Sequence, residues 1–436
     1  MRHTRVAARA RARAVRVTLA AALSIAAPAW ADTDTERAQA EEIAELKRQL
    51  AVVVGEVQQL KANAAVPESE ELKSAYGLGP AASKVYGIPR GVSLGGYAEG
   101  AYTSQIGDAP GTGQDEANIT RVVLYVGNKF SDRLTFNTEI EFEDGFIENE
   151  GEETPGEVAV EFAQLDYLMR PELNFRGGLL LVPVGFLNEV HEPPFFFGTE
   201  RPEVERQIIP STWRENGLGI FGSVGETMSY RAYVMNGLNA SGFNSEGLRD
   251  ARQSGAEAIA NDVAFVGRLD FEPLAGLGVG ASYFQGDSGQ DQPGFPRART
   301  QLWELHAQYR NGPLHLRTLY TQAGIGDSAE LSALNGSTVA KRMVGGYAEI
   351  AYDVMSWIRP GSETSLSPFF RFEYLDTQSD VPGGFDRDRT QPRRLFIPGI
   401  QFKPTANVVL KLDYRNIDPF EGNQADELRF GFGVSF

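Results

Sequence analysis

The sequence predicts an all-β protein: a 16-stranded antiparallel transmembrane β-barrel, preceded by a short N-terminal coiled-coil helix. Three observations carry this expectation. From Gly91 onward, apolar and polar residues alternate with period 2 in one segment after another. The connections between these segments alternate short and long. The last nine residues, LRFGFGVSF, alternate up to Phe436, with Leu428, Phe430, Phe432, Val434 and Phe436 on one face. As the closing strand of a barrel, such a segment has a neighbour on both edges and lipid against its aromatic face.

The chain begins with six arginines before a short apolar run over 17–27, followed by Ala29-Trp30-Ala31, a small-x-small cleavage pattern. The run is too short to span a bilayer, which favours a cleaved signal peptide over 1–31 rather than a retained anchor helix. Its removal takes six positive charges away and moves the net charge from −17 to −23. A chain this acidic lacks the basic footprint that nucleic acid requires. With no cysteine, disulfide frameworks and thiolate metal sites are excluded. At 436 residues the chain exceeds one ordinary globular core, and a large barrel is the standing exception.

Over 32–63 the apolar residues Ile43, Leu46, Leu50, Val53, Val57 and Leu60 follow a heptad seam. So narrow a stripe suits pairing with copies of itself better than packing on a globular surface. Residues 64–90, with Pro, Gly and many small side chains, read as a linker, and 91–436 as the barrel. Strands are expected near 91–105, 117–130, 133–144, 157–169, 173–187, 215–223, 227–238 and 262–272. Eight more follow near 276–285, 300–310, 313–322, 342–353, 364–376, 393–403, 407–415 and 426–436. Many reach the ~9–11 residues of a tilted membrane-spanning strand. An even number of strands puts both ends of the barrel on the short-turn, periplasmic side.

Alternation also assigns a lumen. In RLTFNTEIEFE, Leu134, Phe136, Ile140 and Phe142 face out, and Thr135, Asn137, Glu139, Glu141 and Glu143 face in. Across the strands the inward cations are Arg121, Arg176, Arg231, Arg268, Arg317, Arg371, Lys411, Arg415 and Arg429. The inward acids include Glu99, Glu139, Glu141, Asp166, Glu304, Glu349 and Asp413. Two readings remain open. The cations form a path for anions, as charged rings do in selective pores, or the charges pair with one another and keep a wide lumen polar.

The segment 188–214 is expected to fold into the barrel and narrow the pore. It combines Phe195, Phe196 and Phe197 with Arg201, Arg206, Arg214 and several prolines. Its Glu189, His191 and Glu192 have ligand chemistry, but their spacing matches no strong metal motif, so no metal is expected.

GGYAEGAYT at 95–103, RVVLYVGNKFSDRLTFNTEIEFE at 121–143 and GLLLVPVGFLNEVHEPPFFFGTERPEVERQIIPSTWRENGLGIFG at 178–222 resemble the phosphate-selective porin O/P family. The resemblance covers most of 91–436 and leaves the coiled coil outside. It implies a trimeric 16-stranded outer-membrane channel for small anions, with an arginine ladder and a lysine-rich mouth. Here the lysines depart from the pattern: Lys129, Lys341, Lys403 and Lys411 are the only ones in the barrel. The arginines carry over and the lysine cluster does not. The terminal Phe436 resembles the signal read by the barrel assembly machinery.

An outer-membrane enzyme would need a positioned nucleophile and base. Beyond the signal, the histidines are His191, His306 and His315, and no serine stands in a recognisable motif. No enzyme activity and no cofactor are therefore expected. The expected partners are small solutes or ions, outer-membrane lipid, the assembly machinery and two further copies of the chain. The alternative is a non-selective or cation-preferring porin whose coiled coil tethers it in the periplasm, with peptidoglycan as a candidate anchor.

Overall fold

The computed structural model describes residues 74–106, 115–144 and 156–436, together with Ala44, Lys47 and Arg48. The chain divides into two units, Met1–Ala65 and Val66–Phe436. In the first, the three described residues are helical. The expected signal peptide over 1–31 and the rest of the coiled coil over 32–63 lie outside the described residues.

The second unit holds β1 (Gly91–Ile106), β2 (Glu116–Lys129), β3 (Leu134–Glu143), β4 (Glu157–Arg170), β5 (Leu173–Leu181), β6 (Arg214–Val224), β7 (Met228–Asn236) and β8 (Val263–Leu274). These are followed by β9 (Leu277–Gly286), β10 (Thr300–Asn311), β11 (Leu314–Ile325), β12 (Arg342–Tyr352), β13 (Ser365–Asp380), β14 (Arg393–Thr405), β15 (Val408–Pro419) and β16 (Asp426–Ser435). Each strand pairs antiparallel with its sequence neighbours, and β1 pairs with β16 to close the barrel. At the seam the Phe436 N–H donates to the Gly96 carbonyl and the Gly96 N–H to the Phe436 carbonyl, both at 2.9 Å. The last residue is thus hydrogen-bonded into the wall.

Side-chain parity follows from this pairing. Leu269 on β8, Phe370 on β13, Leu412 on β15 and Phe430 on β16 are exposed on the outside. Arg268, Arg371, Lys411 and Asp413, their neighbours of opposite parity, are buried inside. Aromatics mark both rims, as in outer-membrane barrels. Trp303 packs on Tyr320 near the long loops, and Tyr352 on Trp357 near the short turns. The short turns are tight enough to demand glycine at one point. Gly276 has φ +82, and a Cβ there would lie 1.9 Å from the Arg310 carbonyl oxygen.

Three features differ from the sequence expectation. The strand expected over 173–187 ends at Leu181. Val182 still bonds to Trp213 at 2.9 Å, but Pro183 has no N–H to continue the ladder, and the chain turns inward. The inserted loop is therefore 182–213 rather than 188–214.

The linker expected over 64–90 is corrected at its C-terminal end. Pro80–Gly87 is a helix with proline in its first turn. Leu78, Ala81, Ala82 and Val85 pack against Tyr97, Val123, Tyr125, Phe162 and Leu181 of the barrel unit. The small residues that suggest a linker instead let the helix approach the wall. A Cβ on Gly127 would fall 2.6 Å from the Val85 side chain, so glycine makes room from the other side.

The third difference is a bulge in β4. Glu139 pairs with Phe162 and Ile140 with Val160, which leaves Glu161 as an extra residue. Glu161 and Phe162 are both buried, so two successive side chains point inward.

The main apolar cluster also lies inside the barrel. Tyr233, Val266, Leu319 and Tyr347 of the wall join Val184, Ile208, Ile209 and Trp213 of the inserted loop. The lumen is consequently a packed interior pierced by cavities rather than an open tube.

Candidate functional site: the lumen and its inserted loop

The loop 182–213 carries little regular structure, a 3-10 turn at Pro193–Phe195 and a helical turn at Val204–Gln207. Its buried carbonyls need donors from elsewhere. The wall supplies them from the inward cations. Lys403 Nζ donates to the Pro194 carbonyl at 2.6 Å, Arg317 Nη2 to Phe195 at 3.1 Å and Lys411 Nζ to Gly198 at 2.9 Å. Arg371 Nη2 donates to the Glu200 carbonyl at 3.2 Å, and Arg268 to that of Gly185. The Lys411 ammonium also sits 3.5 Å from the centroid of the Phe196 ring. Phe197 packs on His315 and Phe369. In return the Thr199 N–H donates to Asp413 at 2.6 Å.

All nine inward cations face the interior, and each is engaged, Arg429 by Glu427 at 2.9 Å. Arg121 holds Glu99 at 2.9 Å and Glu141 at 2.8 Å. Arg176 holds Asp166 at 2.8 Å, and the same carboxylate accepts from Tyr86 of the helix at 2.6 Å. Arg231 lies 3.0 Å from Asp270 and 3.3 Å from Glu189, and Arg268 lies 2.9 Å from Asp270. Arg371 pairs with Glu373 at 2.8 Å, and Arg415 with Glu203 at 2.7 Å. Within the loop and its exit, Arg206 holds Glu200 at 2.7 Å and Arg214 holds Glu161 at 2.7 Å. At these positions the inward cations take part in ion pairs and anchor the loop. The reason is desolvation: a cation packed under a loop is costly unless paired and hydrogen-bonded.

Glu189, His191 and Glu192 do not converge. Glu189 goes to Arg231 and Arg268. Glu192 accepts from the Ala81 N–H at 2.9 Å and the Ala82 N–H at 3.4 Å, at the start of the helix Pro80–Gly87. His191 Nε2 lies 3.1 Å from Glu139 Oε1, and Nδ1 lies 3.0 Å from the Asn188 carbonyl.

The loop carboxylates are tuned in opposite directions. Burial pushes Glu192 up to about 8, against the pull of the two helix N–H bonds. Burial likewise raises Glu189 and Glu205. For Glu200, burial is outweighed by Arg206, Arg429 and Arg415, which hold it well below the usual carboxylate range. Glu203 is lowered too, because Arg415 and Arg393 outweigh its burial.

Two cavities flank the loop. One, of about 240 Å³, lies towards the long loops and is bounded by Glu99, Arg121, Asp144, Arg201, Arg249 and Lys411 among others. The other, of about 410 Å³, lies towards the short turns and is bounded by Tyr76, Glu189, Arg231, Asp270, Arg310 and Arg317 among others. Arg201 is buried, and its Nη2 has no hydrogen-bond partner among the described residues.

Sequence reasoning overlooked Tyr86, Glu161, Glu203 and Glu205. Only Glu161 had a readable signal. Val158 and Val160 face out on one parity, and Leu165 and Tyr167 on the other, so the phase of β4 changes within the strand.

No family model matches the chain. The barrel is similar to OmpF of Salmonella typhi, solved in complex with daunomycin, at a TM-score of 0.54 and 15% identity over 80% of this chain and 98% of that one. It is also similar to the outer-membrane channel DcaP of Acinetobacter baumannii, at a TM-score of 0.51 and 14% identity over 79% of this chain and 97% of that one. These likenesses show the fold, a closed 16-stranded antiparallel barrel of the kind seen in OmpF and DcaP. In sequence, an uncharacterized protein of Aquifex aeolicus (strain VF5) is 39% identical over 357 residues, covering 79% of this chain and 80% of that protein. The chain therefore belongs to the same family as that Aquifex aeolicus protein.

Proposed function

We propose that this protein is an outer-membrane channel for the passive diffusion of small hydrophilic anions, with phosphate the leading candidate. The observation that carries the reading is the charge of the two cavities beside the loop. The outer cavity is lined by five cations, Arg121, Arg201, Arg206, Arg249 and Lys411, against the four acids Glu99, Glu143, Asp144 and Glu200. The inner one has four arginines, Arg231, Arg268, Arg310 and Arg317, against Glu189, Asp270 and Glu272. In a chain of net charge −17, a cation excess in both cavities supports an anion path. Arg201 gives the outer cavity a buried guanidinium nitrogen with bonding capacity left over. Phosphate rests on the family resemblance and on the match of guanidinium forks to oxyanions.

The same reading takes the chain as a homotrimer inserted in outer-membrane lipid by the barrel assembly machinery, with Phe436 as its recognition signal. It takes 1–31 as a cleaved signal peptide and 32–63 as a coiled coil on the periplasmic side, with peptidoglycan as its possible anchor point. Trimerisation rests on the resemblance alone.

The test is the reversal potential of the protein in a planar bilayer across a KCl gradient. The expected sign is anion-selective, and Arg201→Gln reduces the preference for chloride while leaving the barrel folded. Phosphate in millimolar amounts is then expected to depress the chloride current. A cation-selective sign in the wild type overturns the proposal and leaves the acidic residues in control of the lumen.

A further inference from the structure

We propose that Glu139, Glu161 and His191 form a binding site for a divalent transition-metal ion, which clamps the inserted loop to the barrel wall. The proposal is independent of whether the channel conducts anions. One oxygen of each glutamate and one ring nitrogen of His191 lie within 4.8 Å of one another, and all three residues are buried. They come from three separate segments: Glu139 from β3, Glu161 from β4 and His191 from the loop.

Four features distinguish this cluster from an accidental meeting of charges. The Asn188 carbonyl can only accept, so the contact at 3.0 Å places a proton on His191 Nδ1. With Nδ1 so occupied, Nε2 is the nitrogen available to a metal, the usual arrangement of a ligating histidine whose other nitrogen donates to a carbonyl. Nε2 faces Glu139 Oε1 at 3.1 Å. At that distance a proton or a metal ion must lie between the two atoms. Ligand atoms about 2.1 Å from a tetrahedral ion stand about 3.4 Å from each other, close to the 3.1 Å between His191 Nε2 and Glu139 Oε1.

Second, Glu161 reaches the site only because of the β4 bulge, which turns it inward beside Phe162. Bulges commonly re-aim a side chain next to a functional site. Third, Glu139 Oε2 is buried with no hydrogen-bond partner among the described residues, whereas Glu161 also lies within hydrogen-bond reach of Glu141. A buried acceptor such as Glu139 Oε2 is costly to leave unsatisfied. Fourth, Arg214 neutralises only one of the two carboxylates, through Glu161 Oε1 at 2.7 Å.

One imidazole nitrogen and two carboxylate oxygens suit Zn²⁺ and its neighbours in the first transition row better than Ca²⁺ or Mg²⁺, which prefer oxygen-only shells. Three protein ligands leave one tetrahedral position for water. The competing arrangement is a protonated His191 paired with Glu139, which requires no metal.

The test uses the folded full chain, stripped with chelator and titrated with ZnCl₂ by calorimetry. One Zn²⁺ per chain is expected. His191→Ala and Glu161→Gln are each expected to weaken binding by at least the ~10–100-fold that losing a residue which only orients a ligand costs. His315→Ala, which alters a lumen histidine outside the cluster, is expected to bind like the wild type. X-ray absorption on the Zn-loaded wild type decides the matter even if a variant does not fold, and is expected to show one imidazole with oxygen donors. No stoichiometric Zn²⁺ binding, a shell lacking imidazole, or unchanged affinity in folded His191→Ala overturns the proposal and leaves the histidine–carboxylate ion pair.

Discussion

Glu192 does from a distance what a residue beside the helix normally does. The helix Pro80–Gly87 starts after Gly79, with no side-chain cap of its own. Its first N–H groups would be orphaned under the loop, and Glu192, 111 positions away, accepts from Ala81. The cost is a buried carboxyl, which burial pushes from 4.5 up to about 8. Between those two values the folded state holds a proton that the unfolded chain has released. Stability from this group is therefore full below about pH 4.5, falls as pH rises, and is lost above about 8. The melting temperature is expected to decline across that window in the wild type, and to decline less steeply in Glu192→Gln, which accepts the same bonds but does not titrate. Equal slopes in the two proteins would show that Glu192 does not titrate there. Glu192→Ala, which removes the cap altogether, is expected to cost about 1 kcal/mol at low pH by the same melting curves.

Among the elements, the loop 182–213 decides what the lumen becomes. Without it the wall would carry charged side chains around a wide aqueous core. With it, Ile208, Ile209 and Trp213 fill that core, and wall cations are spent on loop carbonyls. Leu181 and Arg214, the residues that bracket the loop, are paired directly across β5 and β6. A tight hairpin turn can therefore replace 182–213 without moving either strand. This deletion is expected to raise single-channel conductance several-fold. An unchanged conductance would show that the loop is not the constriction. The position of the loop was readable from its length, prolines and phenylalanines. Its partners were not, because Glu203 meets Arg415 across 212 residues of sequence.

For the molecule as a whole, closure of the barrel and its two-sided wall dominate. Leu269 lies near the middle of β8, faces outward and is 57% exposed, an arrangement suited to hydrocarbon. Leu269→Arg is expected to destabilise the folded barrel by about 2–4 kcal/mol in lipid vesicles, as charged residues do at mid-membrane. Leu269→Met is expected to be nearly neutral. Equilibrium urea unfolding in vesicles checks both, and a silent Leu269→Arg would contradict the outward assignment. The neighbouring Arg268 shows that a charge one residue away is accommodated, because it faces Asp270 inside.

The number of strands, the sides they present and the presence of an inserted loop follow from sequence alone, because side-chain direction in a strand has period 2 and hydrocarbon accepts only one parity. Leu428, Phe430 and Phe432 on β16 can be assigned to the outside without coordinates for that reason. The tertiary structure decided the rest: which acid takes which arginine, that Ala81 and Ala82 pack a helix inside the barrel unit, and that His191 meets Glu139 and Glu161 rather than its neighbours Glu189 and Glu192. Those outcomes depend on the paths of distant segments through a shared interior, where each buried charge must find a partner. Local periodicity carries no information about which partner that is.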